Sequence, residues 1–187
     1  RPDMLFSGLE AVLHNQNRQQ TDLKLFEFGR TYRKTEKGYN EEGRLSLFLT
    51  GRRRPESWLY QDDKEADYYT LKAYVRQVLS RLGIEGYQET AFQDETFAYA
   101  LRYHRGPQVL VEFGKVAGKA VRYTGIRGEV YYADFRWDLL LRAVRKHRIT
   151  YEEVSRFPAV RRDLALIIDK SVKFVDIVAI ARKVGKQ

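Results

Sequence analysis

Apolar residues recur at helical spacing in several segments of the chain. The strongest series is Leu71, Tyr74, Val75, Val78, Leu79 and Leu82, at i, i+3, i+4, i+7, i+8 and i+11. This spacing predicts a helix with one apolar face, capped by Asp67 and terminated by Gly83. Shorter series predict a helix that begins after Asp3, one that begins at Trp137 and one that begins at Phe174.

Other segments are rich in aromatic and β-branched residues and predict strands. Residues 21–34 read TDLKLFEFGRTYRK and predict a long strand with a bulge at Gly29. A loop over residues 35–43 then leads to a strand over residues 44–51, with Leu45, Leu47 and Leu49 on one face. Further strands are predicted at residues 87–92, 97–103, 109–115, 130–135 and 150–155. Their spacing favours an antiparallel meander, and the fold class is therefore α+β, an antiparallel sheet flanked by helices.

Residues 155–169, SRFPAVRRDLALIID, predict a boundary between two domains. Pro158 excludes helix and pushes Phe157 toward extended geometry, whereas the apolar run at residues 164–168 predicts a strand over Arg162–Asp169. We therefore expect one domain over residues 1–155 and a second over residues 156–187. A β-α unit of about 30 residues cannot bury its own core, so the second domain is expected to be incomplete.

The positive charge is concentrated near the C-terminus. Residues 1–135 hold 21 Lys and Arg against 19 Asp and Glu, whereas residues 136–187 hold 13 against 6. The second region thus carries a net charge of +7 of the total +9. Such an excess suits a polyanion such as RNA, although a solvated basic face explains it about as well.

A search for catalytic or metal-binding residues finds none in a supporting pattern. The chain has no cysteine, and its three histidines, His14, His104 and His147, lie in no recognised motif. No metal-ligand spacing and no glycine-rich phosphate loop occur; the glycines at 125 and 128 describe a turn more simply. Three consecutive arginines at residues 52–54 are closed by Pro55 and read as a solvated loop.

Targeting and compartment signals are also lacking. The sequence has no apolar run of about 18 residues, so no membrane span is expected. The absence of cysteine fits a reducing cytoplasm, and we expect a cytoplasmic protein. Because the chain starts at Arg1 rather than at a methionine, we expect it to be a piece of a longer protein.

Several segments, in order, resemble one family, the bacterial phenylalanyl-tRNA synthetase beta subunit. Residues 25–32, LFEFGRTY, resemble its "LFEIGRVF" strand, and Trp58 with DYYTLK at residues 67–72 resembles its "W…DFYDLKG" segment. Residues 111–116, VEFGKV, are similar to its "G.LG.V" strand, and residues 131–135, YYADF, to "VYYAELD". The most specific match is the junction at residues 155–169, which resembles the link between the catalytic-like domain and the ferredoxin-like anticodon-binding domain.

This resemblance implies a class II synthetase-like sheet without activity, followed by the start of a ferredoxin-like unit. In the family, catalysis belongs to the alpha subunit, and this domain is a scaffold packed against it in a heterotetramer of two alpha and two beta subunits. The whole enzyme uses ATP and magnesium to charge tRNA, but we expect this chain to bind no cofactor. Class II enzymes need a motif-two arginine and a glycine-rich third motif, and the chain shows at best a degenerate form of the former.

The resemblance also suggests which residues contact tRNA and which residues form the domain junction. The residues expected to contact tRNA phosphates are Arg156, Lys170, Lys173, Arg182 and Lys183. The residues expected to form the domain junction are Phe157, Pro158, Arg161, Arg162 and Asp163, with Asp163 paired to a neighbouring cation.

Two interpretations compete with the scaffold: a freestanding nucleic-acid-binding module and an active synthetase domain. A freestanding basic nucleic-acid-binding module would place aromatic and arginine side chains on one exposed sheet face. A scaffold would bury most aromatics and leave a large apolar patch for its partner. An active synthetase domain is disfavoured by the missing motifs.

Overall fold

The structure is a computed structural model that describes residues 1–36, 38–54, 57–59, 64–144, 151, 153, 156, 160–161 and 163–185. The chain divides into two compact units, Arg1–Arg148 and Ile149–Gln187.

The first unit is a six-stranded antiparallel sheet with helices on both faces, as the sequence predicts. In chain order its elements are α1 (Leu5–Gln16), β1 (Leu23–Thr35), β2 (Gly38–Thr50), α2 (Tyr68–Arg81), β3 (Gln88–Phe92), β4 (Phe97–Arg105), β5 (Gln108–Val116), α3 (Gly118–Thr124), β6 (Tyr131–Arg136) and α4 (Trp137–Val144). The strand order is β1-β2-β6-β5-β4-β3. The predicted antiparallel meander is thus confirmed for β3 to β6, and β6 completes the sheet by pairing with β2.

The hairpin of β1 and β2 is longer and more regular than predicted. The two strands pair without interruption from Leu23 opposite Thr50 to Thr35 opposite Gly38. The predicted bulge at Gly29 is therefore wrong, because Gly29 lies in register opposite Arg44. The predicted loop over residues 35–43 is also wrong, since β2 begins at Gly38 and its ladder with β1 extends to Thr35 opposite Gly38.

Helix α2 begins and ends where the sequence predicts. Asp67 is its N-cap and accepts a hydrogen bond of 2.7 Å from the backbone N–H of Thr70. The hydroxyl of Thr70 faces the backbone N–H of Asp67, which completes a capping box. Gly83 follows the helix with φ of +64°, a left-handed conformation that glycine adopts without strain. These interactions define both ends of α2.

Alternation along β2 divides the core between the two faces of the sheet. The α2 face, which carries Leu45 and Leu49, is packed by α2 and α4. The α1 face, which carries Ser46 and Phe48, is packed by α1 and α3. The fully buried large side chains include Tyr103, Phe48, Phe113 and Phe135. Most of the core is therefore aromatic and aliphatic packing against a sheet covered on both sides.

Helix α3 lies in the connection between β5 and β6, where the sequence analysis expects only a turn. The helix has seven residues, and Val121 is its one buried residue. It stops at Gly125, whose φ of +80° closes the turn. A helix this short, with a single buried apolar residue, leaves no periodic signal in the sequence.

The second unit contains the predicted helix, α5 (Phe174–Val184), but not the predicted strand over Arg162–Asp169. Residues 163–169 form no strand, and Leu164 and Ile167 are exposed. A strand requires a neighbour to accept its backbone hydrogen bonds, and none of the described residues supplies one. Phe174 and Val184, on the apolar side of α5, are also exposed. The predicted strand at residues 150–155 lies largely outside the described residues.

In the described residues, every helix is too short or too polar to cross a lipid bilayer.

Candidate functional site: the two faces of the sheet

The space between α1 and the sheet is filled by aromatic side chains. The ring of Phe48 is 1% exposed and lies against Gly8, where a Cβ atom would come within 1.9 Å of it. Tyr132 packs beside Phe48, with ring centroids 4.8 Å apart, and stacks on Phe97 at 6.0 Å. The hydroxyl groups of Tyr132 and Ser46 are 3.4 Å apart. This part of the α1 face is hydrophobic core.

The N-terminal residues cover the next part of the α1 face. Met4 is fully buried and lies over Gly29, where an added Cβ would meet its terminal methyl at 2.4 Å. Arg1 spans the same glycine and donates hydrogen bonds of 2.6 Å to Glu27 and 2.8 Å to Ser7. Gly29 is required for this close approach of the N-terminal segment, not for a bulge.

Beyond the aromatic cluster, the α1 face carries a set of buried and partly buried charges on the four inner strands. We call this set the charged lattice: Arg44 of β2, Asp134 and Arg136 of β6, Glu112 of β5 and Arg102 of β4. Arg44 is 6% exposed and donates to Asp134 at 3.0 Å and to Glu42. Arg102 donates to Glu112 at 2.6 Å, and its guanidinium lies 4.3 Å from the ring centre of Phe92.

The register places like charges opposite each other in this lattice. Arg44 faces Arg136, and Glu112 faces Asp134. Cross-strand pairs of like charge are destabilising by themselves, so the ion pairs of Arg44 with Asp134 and of Arg102 with Glu112 are needed to offset them. Both arginines are thereby neutralised within the protein.

Asp134 is the most perturbed acid of the lattice. Burial raises its pKa to about 6, and the nearby charge of Glu112 adds to this, whereas Arg44 and Arg136 oppose it. One carboxylate oxygen, Oδ1, is buried and has no hydrogen-bond partner among the described residues. The bond to Arg44 through Oδ2 needs the ionised form, which prevails above pH 6.

The α2 face is closed over β5 and β6 but open beside β1. A groove of about 450 Å³ lies between β1, β2 and the ends of α2 and α4. Its lining residues are Phe26, Phe28, Leu45, Leu47, Gln77, Val78, Arg81, Leu82 and Trp137. Phe26 is 69% exposed and Phe28 is 55% exposed, although Phe28 packs edge-on against Trp137 at 4.9 Å. This groove was not predicted from the sequence, in which the alternation of Phe26 and Phe28 was the available signal.

The basic residues predicted to contact tRNA are spread along the second unit. Arg156 is exposed and lies 3.3 Å from Glu153, and Lys170 and Lys183 are exposed. Lys173 is the exposed N-cap residue of α5, and the backbone of Arg182 lies in the same helix. Their role in binding RNA stays a prediction.

The predicted junction residues are described only in part. Arg161 and Asp163 form an exposed ion pair of 3.7 Å. Phe157, Pro158 and Arg162 lie outside the described residues. The junction role of this set also stays a prediction.

Other candidate residues have structural roles. The ring nitrogens of His104 lie 2.8 Å from the hydroxyl of Thr90 and 2.9 Å from the carbonyl of Gly106. Arg52, the first of the three consecutive arginines, donates from its backbone and side chain to Asp22 at 2.8 Å and 3.0 Å. His147 lies outside the described residues. Within the described ranges, no group of three or more potential metal ligands is present.

The first unit shares its fold with solved structures. It resembles the crystal structure of pyrrolysyl-tRNA synthetase from Desulfitobacterium hafniense, with a TM-score of 0.59 over 76% of this chain and 49% of that one, at 18% identity. A second structure of that organism's pyrrolysyl-tRNA synthetase gives a TM-score of 0.57 over 76% of this chain and 49% of that one, at 20% identity. The sheet and its helices therefore have the fold of a class II tRNA synthetase.

Sequence comparison identifies the family within this class. Residues 1–137 match the family model of the phenylalanyl tRNA synthetase beta chain CLM domain, and the chain belongs to this family. It is 41% identical over its whole length to the phenylalanine–tRNA ligase beta subunit of Bacteroides thetaiotaomicron and 34% identical to that of Porphyromonas gingivalis, covering 24% of each. The chain thus spans about a quarter of the length of these relatives.

Proposed function

We propose that this chain is a non-catalytic scaffold region of the beta subunit of phenylalanine–tRNA ligase. One observation carries the proposal: two of the three arginines of the charged lattice are held in ion pairs, and core side chains fill the space between the sheet and the buried side of α1. Arg44 and Arg102 are held by carboxylates, and Phe48 and Tyr132 fill the interior. A site for ATP needs cationic groups free to clamp phosphates and room for the substrate.

The whole enzyme would supply what this region lacks. On the family resemblance, the alpha subunit holds the active site, uses ATP and magnesium, and attaches phenylalanine to its tRNA. The beta region would support the alpha subunit in a heterotetramer of two alpha and two beta subunits. The groove beside β1 is consistent with this role, because an exposed apolar surface of this kind is typical of a docking site.

Co-expression tests this proposal. We expect the chain to co-purify with the alpha subunit of a phenylalanine–tRNA ligase of the same organism, because a scaffold binds its partner. A matched control uses the alpha subunit of a different class II synthetase. Equal recovery of both, or of neither, with a correctly folded chain, would contradict the scaffold role.

A second role, in tRNA binding, is favoured by the exposed cations of the second unit. We propose that this unit is the start of a ferredoxin-like anticodon-binding domain, and that Arg156, Lys170, Lys173, Arg182 and Lys183 contact phosphates. Replacing these five by alanine in the full-length enzyme should weaken tRNA binding and flatten its salt dependence, because fewer counterions are released. Phenylalanine activation should be unchanged. Unaltered tRNA affinity at moderate salt would assign the charge to solubility.

The alternative, a freestanding nucleic-acid-binding module, has less support. Such a module would expose its aromatics beside arginines on one sheet face. Here Tyr103, Phe113 and Phe135 are core residues, and the exposed Phe26 and Phe28 line a groove that is mostly apolar, with Arg81 as its one basic residue.

A further inference from the structure

Two stretches of the chain that lack carboxylates come together at α1 and α3. Residues 11–21 form the second half of α1 and the turn after it, and residues 113–128 include α3 and the loop after it; neither stretch contains Asp or Glu. The two helices pack against each other. The side-chain amide of Gln16 also accepts a hydrogen bond of 3.0 Å from the backbone N–H of Arg127 and donates one of 2.9 Å to its carbonyl. The fold thus joins the exposed side chains of both stretches in one surface, which we call the α1–α3 surface.

The cations of the α1–α3 surface face solvent. Lys119, Arg122 and Tyr123 are exposed and lie at positions i, i+3 and i+4 of α3, so they project from one side of the helix. Arg127 is exposed in the loop that follows. Among the described residues, no ion pair engages the side chains of these three cations. Their charge is therefore available to an anionic partner.

Arg127 shares a polar pocket with two carboxylates, whereas the two cations of α3 do not line this pocket. One of these carboxylates, Glu129, is paired with Lys115. The other, Glu65, is exposed. We therefore expect Arg127 to contribute less to anion binding than the cations of α3.

The side chains around these cations suit RNA better than protein. Asn17, Gln19 and Gln20 are exposed on the same surface. Within the two stretches, which are described throughout, Tyr123 is the one exposed large hydrophobic side chain. A protein interface needs an apolar core, whether the partner is another subunit or another part of the same protein. Lys, Arg, Asn, Gln and Tyr are, in contrast, side chains that contact the phosphates and sugars of nucleic acids.

We propose that the α1–α3 surface binds the sugar-phosphate backbone of RNA without reading its sequence. Lys119 and Arg122 contact phosphates, Arg127 adds a weaker contact, and the amides and Tyr123 donate hydrogen bonds to phosphate and ribose oxygens. This RNA contact is separate from the one proposed for the second unit, and it does not depend on the scaffold role.

Fluorescence anisotropy with the 187-residue chain tests the proposal directly. The probe is a fluorescein-labelled RNA hairpin, and the five cations proposed for the second unit are first replaced by alanine, so that the remaining binding belongs elsewhere in the chain. In this background, the triple variant Lys119→Ala, Arg122→Ala and Arg127→Ala should bind the hairpin about tenfold more weakly at about 100 mM salt. The slope of log affinity against log salt should become shallower by about 2. Among the single variants, Arg127→Ala should have the smallest effect.

The matched control removes the same charge from another part of the first unit. Arg33, Lys34 and Arg76 are also exposed, and their replacement by alanine in the same background should weaken binding less than about threefold. The reason is that charges distant from the bound RNA are screened at this salt concentration. Circular dichroism confirms that each variant is folded.

The full-length enzyme shows whether the α1–α3 surface is open in the complete protein. With the alpha subunit present, the triple variant should weaken tRNA binding and flatten its salt dependence, and phenylalanine activation should be unchanged. The five-cation variant of the second unit is measured beside it, so the failure of one RNA contact is distinguished from the failure of the other.

Three results would overturn the proposal. One is an equal loss of hairpin binding in the triple variant and its control, which would indicate a general charge effect. Another is competition by poly-glutamate that matches competition by unlabelled RNA of equal charge, which would assign the surface to an acidic polypeptide. The third is unchanged tRNA binding by the triple variant of the full-length enzyme, which would show that the surface is covered there.

Discussion

The two faces of the sheet differ most clearly along β2. Arg44, Ser46 and Phe48 point to the α1 face, where each is buried and engaged with neighbouring side chains. Leu45 and Leu47, in alternate positions on the same strand, point to the α2 face and line an open groove. One strand therefore borders a closed surface on one side and an incomplete surface on the other. The closed face is packed with core side chains where it meets α1, and the open face can still gain a contact.

The largest effect is expected from a variant that disturbs the packing of the closed face beside α1. Alanine normally stabilises a helix relative to glycine by about 1 kcal/mol. We nevertheless expect Gly8→Ala to lower the free energy of unfolding by about 2 kcal/mol, because its Cβ would collide with the buried ring of Phe48. Urea unfolding measures this difference.

The control for that variant is Gly118→Ala, where the nearest heavy atom would be 3.5 Å away at the tip of Arg122. Its stability should change little. Adding Phe48→Leu to Gly8→Ala should recover part of the loss. A stabilising Gly8→Ala would show that the space beside α1 is open.

A second test removes the central cation of the charged lattice. Arg44→Met should lower the free energy of unfolding by about 1–2 kcal/mol, no more than Gly8→Ala, because Asp134 is partly exposed and can take up a proton that removes its unpaired charge. Thermal unfolding at pH 7.5 provides the comparison. Arg30→Met, which removes an exposed arginine paired with Glu41, should have little effect. Equal effects of the two variants would contradict a buried lattice.

A third test concerns the dependence of stability on the protonation of Asp134, on the closed face. Its pKa is about 6 in the folded protein, above its usual value of 3.8. The folded state therefore holds this proton more tightly, so this residue's contribution to stability is largest below pH 4 and falls as the pH rises to 6. We expect the stability of the wild type relative to Asp134→Asn to fall by about 1–2 kcal/mol between pH 4 and pH 7. A pH-independent difference would mean that the carboxylate is well solvated.

The smallest expected effect concerns the helix that borders the open face. Asp67→Ala removes the capping box of α2 and should cost about 1 kcal/mol. The side-chain hydrogen bond from Thr70 lowers the pKa of Asp67, so this loss should shrink as the carboxylate of the wild type is protonated in acid. Chemical denaturation at pH 7 and in acid measures both. An equal cost at the two pH values would show that the negative charge of Asp67 does not contribute to capping α2.

Local patterns predicted much of the first unit. The i, i+3, i+4 spacing and the caps identified α2, and alternation assigned Leu45, Leu47 and Leu49 to one face of β2. The bulge predicted at Gly29 was wrong. This position needs glycine because Arg1 and Met4, which are distant in sequence, pack closely against it. The charged lattice was missed because strands β2, β4, β5 and β6 come together only in the folded sheet. The apolar run at residues 164–168 suggested a strand, yet a strand needs a partner that the described second unit does not provide.

The proposed scaffold role requires that the α1 face does not act as a synthetase active site. Phenylalanine-dependent exchange of pyrophosphate into ATP measures amino-acid activation directly, with the 187-residue chain alone and with a complete phenylalanine–tRNA ligase as the positive control. The account predicts exchange at the background level from the chain alone. Exchange above background from a clean preparation, lost on unfolding, would contradict it.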